Sequence, residues 1–270
     1  MGTETRHTRR VSSRGHRAGT VGLLVVLFLS TTRIGVASEH HSETPNLTGH
    51  WAQKIVLTSV SDVPVLGRIE TRTVSYLRVD IEQQETRLKW NAETCDATLR
   101  AGVGAIRTVL PDAFVRAIRT PTRRGRVTRR GGGWQLIVAP RTTVLGATLD
   151  ATESAPLPTS PTDEAVVDAD DDGEPGVTIR LKGLIRARLF VVQRSTDAYR
   201  ASIDSADRLS GRVDWHADRR LLRSTSPFIG DGPPSRPHPD PDRSWFELVR
   251  LERPIDCSRL LSRRSELFER

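Results

Sequence analysis

The stretch "RIETRTVSYLRVDIEQQ", residues 68–84, decides the fold. Thr71, Thr73, Ser75, Leu77, Val79 and Ile81 fall at every second position. A period of two places alternate side chains on opposite faces of an extended chain, so the pattern predicts one long β-strand. On one side, "LTGHWAQKIVLTSV" (47–60) is β-branched and half-alternating, and "VPVLG" (63–67) makes a bend between the two. On the other side, "TRLKWNAETCDATL" (86–99) repeats the style, and a short turn between Gln84 and Arg87 would pair it antiparallel.

The same signals recur further along. "WQLIVA" (134–139), "VTIRLKGLIRARLFVVQRS" (177–195, broken near Gly183), "AYRASID" (198–204), "RLSGRVDWHAD" (208–218) and "SWFELVRLER" (244–253) all read as strands. The arginines at 119, 123, 124, 126, 129 and 130 form a basic cluster whose ordinary setting is a solvated loop. Pro111 can open a helix, Asp112 suits its first turn, and Phe114, Val115 and Ile118 supply an apolar side, so a short helix is expected over 111–118. Leu260, Leu261 and Leu267 suggest another in the tail. The expectation is an all-β fold: an antiparallel meander of eight or more strands forming a closed or partly open barrel, because closure removes exposed strand edges. This domain spans 47–253, with a flexible polar start at 39–46, a long loop at 140–176 and a tail at 254–270.

Residues 1–38 read as a secretory signal peptide. Arg6, Arg9, Arg10, Arg14 and Arg17 make a basic segment, Val21–Leu29 is apolar, and "GVAS" offers a cleavage site at Ala37-Ser38. The apolar run is about half the roughly 20 residues that a spanning helix needs, so no stable membrane span remains after its removal. The expected location is periplasmic or secreted. Removing six arginines and one glutamate reduces the net charge from +8 to +3, which withdraws most support for nucleic-acid binding. In an exported chain, Cys95 and Cys257, the only cysteines, suggest a disulfide, whose 162-residue loop would contribute about 4–5 kcal/mol.

"DADDDGEPG" (168–176) carries the one candidate metal motif. Asp168-x-Asp170-x-Asp172-Gly173 has the spacing of the first half of a calcium loop, and carboxylate oxygens suit Ca²⁺. The stretch resembles the loops of EF-hands, dockerins and thrombospondin-type repeats. It departs from an EF-hand at the twelfth position, Ile179, where a bidentate glutamate is needed, and a strand follows instead of a helix. The ligand set left is Asp168, Asp170, Asp172 and the carbonyl of Glu174; the alternative is a solvated acidic turn. The sequence contains no Gly-x-Ser-x-Gly elbow, phosphate loop, Cys-x-x-Cys or His-Glu-x-x-His, and the histidines are scattered. No catalytic residues are identified.

Gly49-x-Trp51 in the first strand, Thr196, Asp197 and Tyr199 in "STDAYRA", and Arg250 in the last strand resemble the motifs of lipocalin-like (calycin) β-barrels. Ala198 interrupts the Thr-Asp-Tyr match, and the loop at 140–176 is extra. The resemblance implies that Arg250 stacks on Trp51 and that the barrel holds a small apolar ligand without catalysis. Two other expectations stand beside it: an envelope structural or interaction domain with a calcium-stiffened loop and no ligand cavity, and a secreted hydrolase with an unrecognised site.

Overall fold

The computed structural model describes residues 43–63, 67–101, 106–149 and 155–268. The signal peptide, its cleavage site, the start of the 39–46 segment and the middle of the 63–67 bend lie outside the described residues.

The sheet is built from β1 (Gly49–Val63), β2 (Gly67–Gln84), β3 (Arg87–Ala101), β4 (Ile106–Val109), β5 (Arg123–Arg130), β6 (Gly133–Leu145), β7 (Val177–Gly183), β8 (Ala187–Ser202), β9 (Arg208–Ser224), β10 (Arg236–Pro237) and β11 (Trp245–Leu251). Every pairing between them is antiparallel. Eight strands, β1–β2–β3–β5–β6–β8–β9–β11, close into a hydrogen-bonded ring, because β9 pairs with both β8 and β11 and β11 pairs with β1. β7 and β4 extend the sheet from the lower half of β8. The long alternating strand is β2, and Glu85-Thr86 forms the turn to β3, with Glu85 at φ 53°.

The ring contains one large core. Trp51, Ile55, Leu77, Val79, Ile81, Trp90, Leu136, Val138, Tyr199, Leu209, Val213, Phe246 and Leu248 all pack into it. Each lies at an alternate position of its strand, so the two-residue period that predicts the strands also selects the interior.

The helix predicted near 111–118 is α1 (Asp112–Ala117), which buries Phe114, Val115 and Ala117. The tail forms α2 (Cys257–Ser262), capped by Asp256, and α3 (Arg264–Phe268). Leu260, Leu267 and Phe268 cover Ala52 and Leu251 on the ring's outer face.

Several boundaries differ from expectation. β6 continues through Pro140 to Leu145, so the long connection begins at Gly146. β8 runs unbroken across Thr196-Asp197, which pair with Thr142, Arg141, His216 and Trp215 in mid-strand and form no turn. The end of the polar start is held in place: Gln83 donates to the Pro45 carbonyl (2.9 Å), and Arg250 donates to that of Asn46 (2.7 Å). Arg123–Arg130 is strand, and Arg123 is buried. No helix among the described residues is long and apolar enough to cross a membrane.

Cys95 and Cys257 form a disulfide. The β2–β3 register shifts at Tyr76/Leu77, whose partners are Asp96 and Thr94, so Cys95 is the residue left out of the ladder. A bulge re-aims the side chain it leaves unpaired, and here the bulge delivers Cys95 to the tail. The bond closes a 162-residue span. Replacing both cysteines by serine is expected to lower unfolding stability by about 5 kcal/mol in urea titrations. A double variant as stable as the wild type would show that the crosslink adds nothing.

Candidate functional site

Of the sequence-level site residues, the structure brings together Asp168, Asp170 and Asp172. One carboxylate oxygen from each lies within 4.8 Å of the others. The turn is ordered by its own backbone. Asp168 accepts from the N–H groups of Asp172 (3.2 Å) and Gly173 (2.8 Å), and Asp172 accepts from Glu174 N–H (3.1 Å). β7 supplies the rest: Thr178 N–H donates to Asp170 Oδ2 (3.0 Å) and the Thr178 hydroxyl to Asp172 Oδ2 (2.7 Å). Asp171 adopts φ 55°, and Gly176 closes the turn at φ 83°, where an added Cβ would stand 2.4 Å from the Val191 carbonyl oxygen. Only glycine allows that approach to β8.

Asp170 is the unusual member. It is 7% exposed, and its Oδ1 has no hydrogen-bond partner among the described residues. Burial pushes its carboxyl above the usual carboxylate range; the Thr178 N–H partly offsets this, and the charges of Asp172 and Asp168 add to it. Three carboxylates converging on one point, with one buried oxygen unused, fit a hard cation such as Ca²⁺. Outer oxygens held by N–H groups fix the carboxylate orientations in advance. The carboxylate of Glu174 turns elsewhere: it pairs with Arg188 (3.1 Å) and with Arg223. Only the main-chain carbonyl of Glu174 is therefore left as a candidate donor.

The residues singled out in the first and last strands also meet. The Arg250 guanidinium lies 4.3 Å from the ring centroid of Trp51, which is fully buried. It donates to the carbonyls of Thr48 (2.7 Å), Asn46 (2.7 Å) and Ala206 (2.9 Å). Gly49 has φ 138°, and a Cβ there would sit 3.0 Å from Arg250 Nη1, so the glycine leaves room for the stack.

Asp197 and Tyr199 join a residue that the sequence did not single out within its basic cluster. Arg123 reaches Asp197 at 2.6 Å, donates to the Ala139 carbonyl at 2.9 Å and lies 4.4 Å from the Tyr199 ring centroid. The usable signal was alternation: Arg123, Gly125 and Val127 share one face of β5, and Val127 is core. Burial keeps the Tyr199 phenol neutral by pushing its pKa far up. Toward the other end of the ring the inward positions become mixed. Thr71, Thr73, Ser75, Gln193 and Ser195 take alternate sites there, with Leu57, Ala97, Leu99 and Ala217 opposite them. Arg219, opposite Gln193, belongs to that face as well.

Gln53 also points inward, between Leu77 and Leu248 in register, and is completely buried with neither amide atom partnered among the described residues. An unpaired amide costs roughly 1–3 kcal/mol. Gln53→Met, similar in length and apolar, is expected to raise stability by roughly 1–2 kcal/mol in chemical denaturation. A loss of stability would show that the amide has a partner in solution.

No family model, curated protein or solved structure matches the chain. Its chemistry is therefore read from its own geometry.

Proposed function

We propose that the protein is an exported, non-enzymatic interaction domain of the envelope or cell exterior, in which Ca²⁺ stiffens the 168–176 turn. The observation that carries this reading is the convergence of three carboxylates, one of which, Asp170, is buried with its Oδ1 unpartnered among the described residues. Export is supported by the basic and apolar pattern of the first 38 residues and by the disulfide, since oxidised cysteines persist outside the cytosol. The lack of a membrane-crossing helix among the described residues is compatible with that location.

An interaction domain is favoured over a carrier of an apolar ligand by the content of the ring. Trp51, Trp90, Phe246, Leu136 and Leu248, each fully buried, fill its apolar half with protein. Toward the other end, hydroxyls and amides share the inward face with Leu57, Ala97, Leu99 and Trp215. The Trp51–Arg250 stack keeps a lipocalin-like ancestry within the proposal, as a structural device at the ring's end.

Calcium would bind the folded turn and not the unfolded chain, so it stabilises by mass action: about 2.7 kcal/mol at a hundredfold excess over Kd. The melting temperature is expected to rise when Ca²⁺ replaces EDTA. Asp170→Asn should remove that rise and, in EDTA, melt no lower than the wild type, because a neutral amide relieves a buried charge. Identical wild-type melting curves in EDTA and in excess Ca²⁺ would end the calcium reading.

A further inference from the structure

The lower edge of the sheet carries a second feature. On β7, Arg180 and Lys182 are two residues apart and so share a face, opposite to that of the buried Val177 and Ile179. Lys182 stands directly opposite Arg107 of β4, and Arg180 directly opposite Arg188 of β8. Four cations thus lie side by side across three strands. Arg186 joins them in an open cleft of about 660 Å³, whose lining contains no acidic residue. Like charges facing each other across a ladder are destabilising. Arg188 is relieved by Glu174, whereas no ion pair engages Arg107, Arg180, Lys182 or Arg186 among the described residues. The acidic turn borders this face beyond Thr178, and Glu174 is already committed to Arg188 and Arg223.

Two large apolar side chains stand beside this cleft with no core to enter. Leu184, in the turn between β7 and β8, is 84% exposed, and Phe228, just past the end of β9, is 92% exposed. They belong to the same end of the sheet, because the end of β9 is tied to the start of β8: Thr225 N–H donates to the Arg188 carbonyl (3.0 Å) and Arg188 N–H to the Thr225 hydroxyl (2.9 Å). Thr225 itself lines the cleft.

We propose that this end of the ring docks peripherally on an anionic phospholipid surface, with Arg107, Arg180, Lys182 and Arg186 against the headgroup phosphates and Leu184 and Phe228 inserted at the acyl boundary. Cations beside protruding apolar residues match such a surface in both charge and polarity, which a soluble anion would not require. The occupant is a lipid surface and not a nucleic acid, because a polyanion in water would leave Leu184 and Phe228 unburied.

Vesicle sedimentation in EDTA, which separates this proposal from the calcium reading, tests it. The protein is expressed from its full reading frame, so that every variant shares one N-terminus. Binding is expected to vesicles containing about 30% phosphatidylglycerol and not to pure phosphatidylcholine, with loss at high salt. At about fivefold per neutralised cation, Arg107→Gln/Arg180→Gln/Lys182→Gln together should weaken it by about two orders of magnitude. Leu184→Ser/Phe228→Ser should weaken it at least tenfold while leaving its salt dependence unchanged. Both variants replace exposed residues and should melt with the wild type. As a control, free inorganic phosphate at millimolar concentration should not displace the protein. Equal binding to neutral and anionic vesicles, full affinity in the triple variant, displacement by phosphate, or tighter binding to a duplex oligonucleotide than to vesicles would each overturn the proposal.

Discussion

The pairing of β9 with two neighbours at once holds the architecture together. β9 meets β8 along almost its whole length and meets β11 at its start, and through β11 it reaches β1. Without it the same strands would form an open sheet with β8 and β11 as edges, and Trp51, Phe246 and Tyr199 would face water. Closure satisfies the edge hydrogen bonds and creates an inside. The requirement for alternating character follows, since every second residue on eight strands is then committed to one enclosed volume. Gly211 marks how tight this closure is: a Cβ on it would stand 2.1 Å from the Arg200 carbonyl oxygen of the neighbouring strand.

Bulky aromatic and aliphatic side chains fill one end of the enclosed volume, and the other mixes hydroxyls and amides with Leu57, Leu99 and Trp215. The Arg123–Asp197 pair, largely buried and backed by Tyr199, lies between them. An ion pair in that position adds little net stability after desolvation, but removing one partner would leave a buried charge without compensation. The acidic turn is outside this system. It leans on the outer face of the sheet through Thr178 and Gly176, as an appendage to the ring.

Much of this was legible in the chain because local chemistry and tertiary context agree there. β2 announces itself by alternation, the turn at Glu85-Thr86 by its spacing, and α1 by Pro111 and Asp112. The convergence of Asp168, Asp170 and Asp172 follows from alternating carboxylates ahead of a glycine. Other features depended on partners far away in sequence. Thr196-Asp197 has turn-forming residues, yet ladders on both sides keep it extended. Arg123 looked like its solvated neighbours, because what buries it is an aspartate 74 positions later. Pro140 signalled the end of a strand that in fact continues past an irregular register between Val138 and Arg141. The carboxylate of Glu174 went to arginines on β8 and β9, which no local spacing could reveal.

The Arg250 stack has a geometric consequence. By holding the carbonyls of Asn46 and Thr48 against the end of β11, it brings the chain's entry into the ring beside its exit. Both lie at the pole opposite Leu184 and Phe228, because β1 begins where β8 ends. The first and last strands of the ring thus have their free ends at one pole, and the exposed cations of β4 and β7 stand at the other.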